Sequence, residues 1–163
     1  MFWGDTDGSF FSFDDISGRR KLKNPMYPPS VINNKTYKIP DLKPDERRIL
    51  SVDVALMASK KHNNDASSIT INSAMPTSGG NYIANIVWME NHEGLNDDEL
   101  DLIVRRLYAT YKCTDLVLDS AGVGLAVFDK LAQDMVDPET GELYPALSCC
   151  NDKDMAARCK VEN

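Results

Sequence analysis

The chain has 163 residues, 42% hydrophobic and 26% charged, with a formal net charge of −7 at pH 7. That size and balance suit one globular domain, and the acidic charge argues against holding nucleic acid by bulk electrostatics, so any such contact has to be local or metal-assisted. No apolar run approaches the roughly 20 residues of a membrane helix, and "MFWGDTDGSF" lacks the basic start and apolar middle of a signal peptide; the expectation is a soluble intracellular protein with no membrane contact. The 4 cysteines, Cys113, Cys149, Cys150 and Cys159, form no CxxC pair and read as reduced thiols, not as a zinc site.

Residues 1–45 carry Gly4, Gly8 and Gly18, the prolines Pro25, Pro28, Pro29, Pro40 and Pro44, and the aromatics Phe2, Trp3, Phe10, Phe11 and Phe13. Such a density of turn formers rules out long helices, and the aromatics suggest packing onto something, so this part reads as an extended strap ahead of a domain over 46–163. "SGRRKLK" at 17–23 is its basic cluster, a solvated face or a local nucleic-acid contact.

From Arg47 the pattern becomes regular. "ILSVDVAL", 49–56, reads as a strand apolar on both faces, with Arg47 and Arg48 outside it. Asp53 is planted in that run, and a buried lone carboxylate costs several kcal/mol unless it is paired or bound to a cation. After the loop "ASKKHNN" come "DASSITINSAM", 65–75, rich in β-branched residues, the turn "PTSGGN", and "YIANIVWME", 82–90. Short connections make these three strands an antiparallel meander.

A helix follows: Asn96 caps it, Asp97, Asp98 and Glu99 favour its first turn, and Leu100, Ile103, Val104, Leu107, Tyr108 and Tyr111 share a face. Then "TDLVLDSAGVGLAVFDKLA", 114–132, gives a short buried strand, Leu116 to Leu118, ending in Asp119, a turn permitted by Gly122 and Gly124, and a second amphipathic helix. A strand entered through a helix after a meander most simply lies parallel to the first and beside it. Asp53 and Asp119 then stand on adjacent strands about 4.8 Å apart, close enough to share a divalent cation. The competing roles are a helix cap for Asp119 and a buried Arg, Lys or amide partner for Asp53. Asp65, at the start of the second strand, is a third candidate ligand or a group supporting the ligands; loop punctuation is its alternative. "SAGVG" fails as GxGxxG, because residue 127 is Val, and lacks the Lys and Ser/Thr of a P-loop. His62 and His92 fall in loops and are not proposed as general bases.

"MFWGDTDGSFFSFDDI", "ILSVDVAL" with "NDASSITI", "LVLDSAGVG" with "VFDKLAQ", and "YPALSCCNDKDMAARC" together resemble the nuclease region of large terminase subunits from tailed bacteriophages. The resemblance spans nearly the whole chain. It implies an α/β fold with a ribonuclease H-like mixed sheet: an antiparallel three-strand meander, then parallel strands through helices, incomplete at the C-terminus. It also implies cleavage of concatemeric viral double-stranded DNA by two Mg²⁺ or Mn²⁺ ions, with Asp53 and Asp119 as catalytic metal ligands. The partners implied are a terminase ATPase domain, a small terminase subunit and a portal, in the cytoplasm of a bacterial host.

Members of that family carry an ATPase motor ahead of the nuclease and a third acid downstream, past a further strand. Neither is found in this sequence, and Asp152 and Asp154 fall where the resemblance places a helix start. The expectation is a fragment or shortened reading frame with an incomplete two-ion site and little nuclease activity, its sheet edge unfinished beyond "YPALSCC". "SKKH" at 59–62 is a candidate phosphate contact. Two alternatives remain open: a non-catalytic interaction or DNA-binding module on the same sheet, and an actin-like ATPase fold, against which the absence of glycine from "ASKKHNN" counts.

Overall fold

The structure, a computed structural model, describes residues 14, 17–18, 25–32, 36–55 and 66–159. It is a mixed α/β fold around one four-stranded sheet of order β3-β2-β1-β4. The strands are β1 (Arg47–Asp53), β2 (Ala66–Pro76), β3 (Tyr82–Glu93) and β4 (Asp115–Leu118). β1 pairs antiparallel with β2 and parallel with β4, and β2 pairs antiparallel with β3. The meander and the parallel direction of the fourth strand are as the sequence led us to expect, but β4 is not buried throughout: Val117, on the face away from the helices, is exposed. β3 runs on to Glu93, which puts His92 inside a strand, where its Nε2 meets Glu90 Oε1 at 2.8 Å. It is therefore not a loop histidine.

Period-two alternation sets which face of the sheet is covered. Leu50 and Val52 on β1 and Ile69 and Ile71 on β2 are buried, whereas Ser51, Ser68 and Thr70 between them are not. The buried face receives helix α1 (Asp97–Thr110) and helix α2 (Gly124–Leu131). Leu100, Val104, Leu107 and Tyr111 from the first, and Val127 and Leu131 from the second, join those strand residues in one core. Among the described residues helices cover this face of β1 alone, while Ile49, Ser51 and Asp53 look to the other side, so the strand is not the doubly buried one expected.

Helix α1 starts with a capping box. Asn96 Oδ1 accepts from the Glu99 amide at 2.9 Å, and Glu99 Oε2 accepts from the Asn96 amide at 2.9 Å. It ends with Lys112 at φ 51°, the Lys112 amide donating to Ala109 and the Cys113 amide to Tyr108, the paired bonds of a left-handed helix stop.

Two buried arginines hold the periphery. Arg48, fully buried in β1, donates to Glu46 Oε1 at 3.1 Å and to the carbonyls of Pro40 and Tyr111 at 3.0 and 2.8 Å. Arg47 and Arg48 therefore belong to the strand, contrary to the expectation that they precede it. Arg105 of α1 donates to Asp101 Oδ1 and to the carbonyls of Lys130, Gln133 and Pro145, tying both helices to the following segment.

Among the described residues the chain beyond α2 does not return to the main sheet. β5 (Met135–Val136) and β6 (Leu143–Tyr144) form a separate antiparallel hairpin, so the sheet holds one parallel strand after the meander where the sequence reading had several. Helix α3 (Lys153–Arg158) is capped by Asp152, whose Oδ1 accepts from the amides of Asp154 and Met155, the helix start anticipated there. Residues 25–32 and 36–45 of the strap lie against the same body: Met26 and Ile39 pack on the core, and Tyr27 meets Trp88 edge-on with ring centroids 5.8 Å apart. The cysteines are free, and burial pushes the Cys113 thiol up to about 12.

Candidate functional site

The parallel pairing of β1 with β4 decides where the two acids go. Ile49 pairs with Asp115, Leu50 with Leu116, Ser51 with Val117 and Val52 with Leu118. The next residue along each strand is Asp53 and Asp119. They stand side by side at the same rim, on strands about 4.8 Å apart with no strand between them. Val52 and Leu118 pack toward the core, so alternation turns Asp53 and Asp119 to the opposite, exposed face, and both are exposed.

The backbone beyond Asp119 is tightly specified. Gly122 has φ +56°, and a Cβ placed on Gly124 would lie 1.8 Å from the Asp119 carbonyl oxygen. Only glycine permits that approach. Asp119 Oδ1 accepts from the Ala121 amide at 2.9 Å, a turn bond within the loop. It does not cap α2, whose N-cap is Val123 with no side-chain bond.

Asp53 differs from expectation in one respect. It is the last residue of β1 and exposed, not embedded in a two-sided apolar run, so no desolvation penalty demands a counter-charge. Nor is an arginine its partner: Arg48 points to the buried face and is bound to Glu46, and Arg47 pairs with Asp115, whose carboxyl that guanidinium holds below the usual range. The Asp53 carboxylate makes no hydrogen bond or ion pair with the side chains or backbone of the described residues. In register with it across the sheet are Ser68 on β2 and Asn91 on β3. Asp119, Asp53, Ser68 and Asn91 thus form one polar row spanning four strands. The row is invisible in sequence, because the β1–β2 connection conceals the register.

As a donor set, two exposed carboxylates on one rim offer the hard oxygen atoms that Mg²⁺ and Mn²⁺ prefer, with room for the waters those ions keep. Among the described residues no group of three or more His, Cys, Asp or Glu side chains is placed to hold a metal. Asp65, His62, "SKKH" and most of "SGRRKLK" lie outside the described residues. A cleft of about 270 Å³ between α1 and the 142–147 segment, lined by Val104, Tyr108, Ala109, Leu143 and Leu147, lies apart from the aspartates. Among the described residues no helix is long and apolar enough to cross a membrane.

Comparison with protein-family models, curated proteins and solved structures gave no match. The site therefore rests on its own geometry.

Proposed function

We propose that this chain is the nuclease portion of a bacteriophage large terminase subunit, built on a ribonuclease H-like sheet, that cuts double-stranded viral DNA with Mg²⁺ or Mn²⁺. The observation carrying the reading is the register of β1 with β4, which sets Asp53 and Asp119 beside each other on the open face. Divalent ions bound there supply an activated water and offset charge on the scissile phosphate, so no side-chain nucleophile is needed. Asp53 contributes a carboxylate free of partners among the described residues. Asp119 contributes its second oxygen, its first being held by the Ala121 amide. The Gly122–Gly124 turn fixes the chain that carries Asp119, and Ser68 and Asn91 offer neutral hydrogen-bonding groups along the same row for a phosphodiester backbone. The acidic net charge is compatible with this role because cations held by Asp53 and Asp119 would offset it where the phosphate approaches. By the same resemblance, the partners are the ATPase motor, the small subunit and the portal, in the cytoplasm of the bacterial host.

The test begins with metal alone. Mn²⁺ raises the melting temperature of the wild-type chain, and Asp53→Asn and Asp119→Ala each abolish the shift. With supercoiled plasmid and Mn²⁺ the expected cutting is weak, since two carboxylates hold a second ion loosely, and it disappears in Asp53→Asn. A melting temperature indifferent to Mn²⁺ favours the second reading, a non-catalytic module that uses the same face for binding; the lack of a three-group cluster among the described residues is the observation on its side.

A further inference from the structure

Ser67 is fully buried, next in sequence to Ser68, the register partner of Asp53. Its hydroxyl is engaged twice by one residue of β1's extension: Oγ accepts from the Ala55 amide at 3.0 Å and donates to the Ala55 carbonyl at 2.8 Å. Ala55 lies past the end of β1, where no ladder hydrogen bond would otherwise fix the chain. The bonds reach further than Ala55. Val54, between Asp53 and Ala55, packs on the core, and its Cγ2 lies 3.9 Å from where a Gly124 Cβ would stand. Gly124 in turn rests against the Asp119 carbonyl. The Ser67 hydroxyl thus fixes the chain two residues beyond Asp53, and Val54 between them faces the Gly124 turn that rests against the backbone of Asp119.

We infer that Ser67 is a positioning residue of the two-aspartate site, its hydroxyl holding the chain ends that carry Asp53 and Asp119 at the spacing a shared divalent cation requires. The inference rests on the metal-dependent reading above and adds a group that touches neither metal nor substrate. Groups hydrogen-bonded directly to metal ligands are worth about 10–100-fold in metal affinity; Ser67 acts one step further out, through the backbone, and that range sets the scale of its effect.

Mn²⁺ is the probe, with free ion measured by electron paramagnetic resonance at a temperature where every variant is folded. Ser67→Ala raises the Mn²⁺ dissociation constant about 10–100-fold, and the Ala55 amide exchanges faster with solvent. Ser67→Thr, which keeps the hydroxyl, restores binding. Leu107→Ala, a core truncation in α1, destabilises the fold yet leaves the dissociation constant unchanged. Should Ser67→Ala fail to fold, Ser67→Cys replaces it, its weaker acceptor giving a smaller loss in the same direction. Wild-type affinity in Ser67→Ala or Ser67→Cys, or an equal loss in Leu107→Ala, overturns the positioning role while leaving the metal site standing. Absence of Mn²⁺ binding in the wild type, or undiminished binding in Asp53→Asn, overturns the metal reading itself and this inference with it.

Discussion

Gly124 shows how far a single residue can be specified by its surroundings. A methyl group there would overlap the Asp119 carbonyl oxygen, at 1.8 Å, and the obstacle is backbone, which cannot step aside as a flexible side chain can. Gly124→Ala is expected to lower the unfolding free energy by about 1–3 kcal/mol, the usual cost of overpacking, read from urea denaturation. It also removes the Mn²⁺-dependent stabilisation, because the strain falls on the turn that carries Asp119. Undiminished stability in this variant would mean the turn relaxes freely. Both aspartates stood out in the sequence, Asp53 inside a run of strand-forming residues and Asp119 closing another before a glycine turn. The exposure of Asp53 did not. Its neighbours Val52 and Val54 suggested burial on both sides, but adjacent residues of a strand face opposite ways, and the side taken by Asp53 has no cover among the described residues. Arg48 was illegible for a different reason: the carbonyls that make its burial tolerable belong to Pro40 and Tyr111, remote in sequence from it and from each other.

At the scale of elements, the meander, the first helix with its cap and the strand–turn–helix around Asp119 were all readable, because each is written in local periodicity and local capping chemistry. The β5–β6 hairpin was not. Its strands have two residues each, too short for any period, and a carboxylate holds the connection between them. Asp137 Oδ1 accepts from the amides of Glu139 and Thr140, while Arg106 grips both of its oxygens. That guanidinium, above all, and then the two amides hold the Asp137 carboxyl far below its ordinary value of 3.8. A carboxyl depressed on folding stabilises the native state above its unfolded value, and the contribution fades as pH falls toward the folded one. Asp137→Asn is therefore expected to lower the urea midpoint at pH 7, with the gap from wild type narrowing as pH drops below about 4. A gap independent of pH would show that the hairpin depends on the shape of this side chain and not on its charge.

For the molecule as a whole, the asymmetry of the sheet matters most. Helices cover one face, while on the other side Met89 and Val117 are 52% and 55% exposed, and Ile86 of β3 is 49% exposed. Among the described residues β4 has β1 on one side and no strand of the sheet on the other. Exposed apolar side chains beside an unpaired strand edge favour self-association. Val117→Lys is expected to reduce concentration-dependent light scattering without lowering the melting temperature, since the side chain leaves no core contact behind. Scattering unchanged by the lysine would indicate that another surface drives association. The wider arrangement was only partly readable: a parallel return beside β1 followed from connection rules, but departure of the chain from the sheet after α2 has no signature in hydrophobic pattern.

The peptide unit at Met26 alters where the folding unit begins. Its amide donates to the Val87 carbonyl at 3.0 Å and its carbonyl accepts from the Tyr111 hydroxyl at 2.7 Å, so one residue is stitched to the outermost strand and to the end of the first helix together. Composition alone draws the border at residue 45. Hydrogen bonding carries it back at least as far as Met26: a chain trimmed to Arg47 would leave the Tyr111 phenol, the Val87 carbonyl and part of the Arg48 guanidinium without their protein partners.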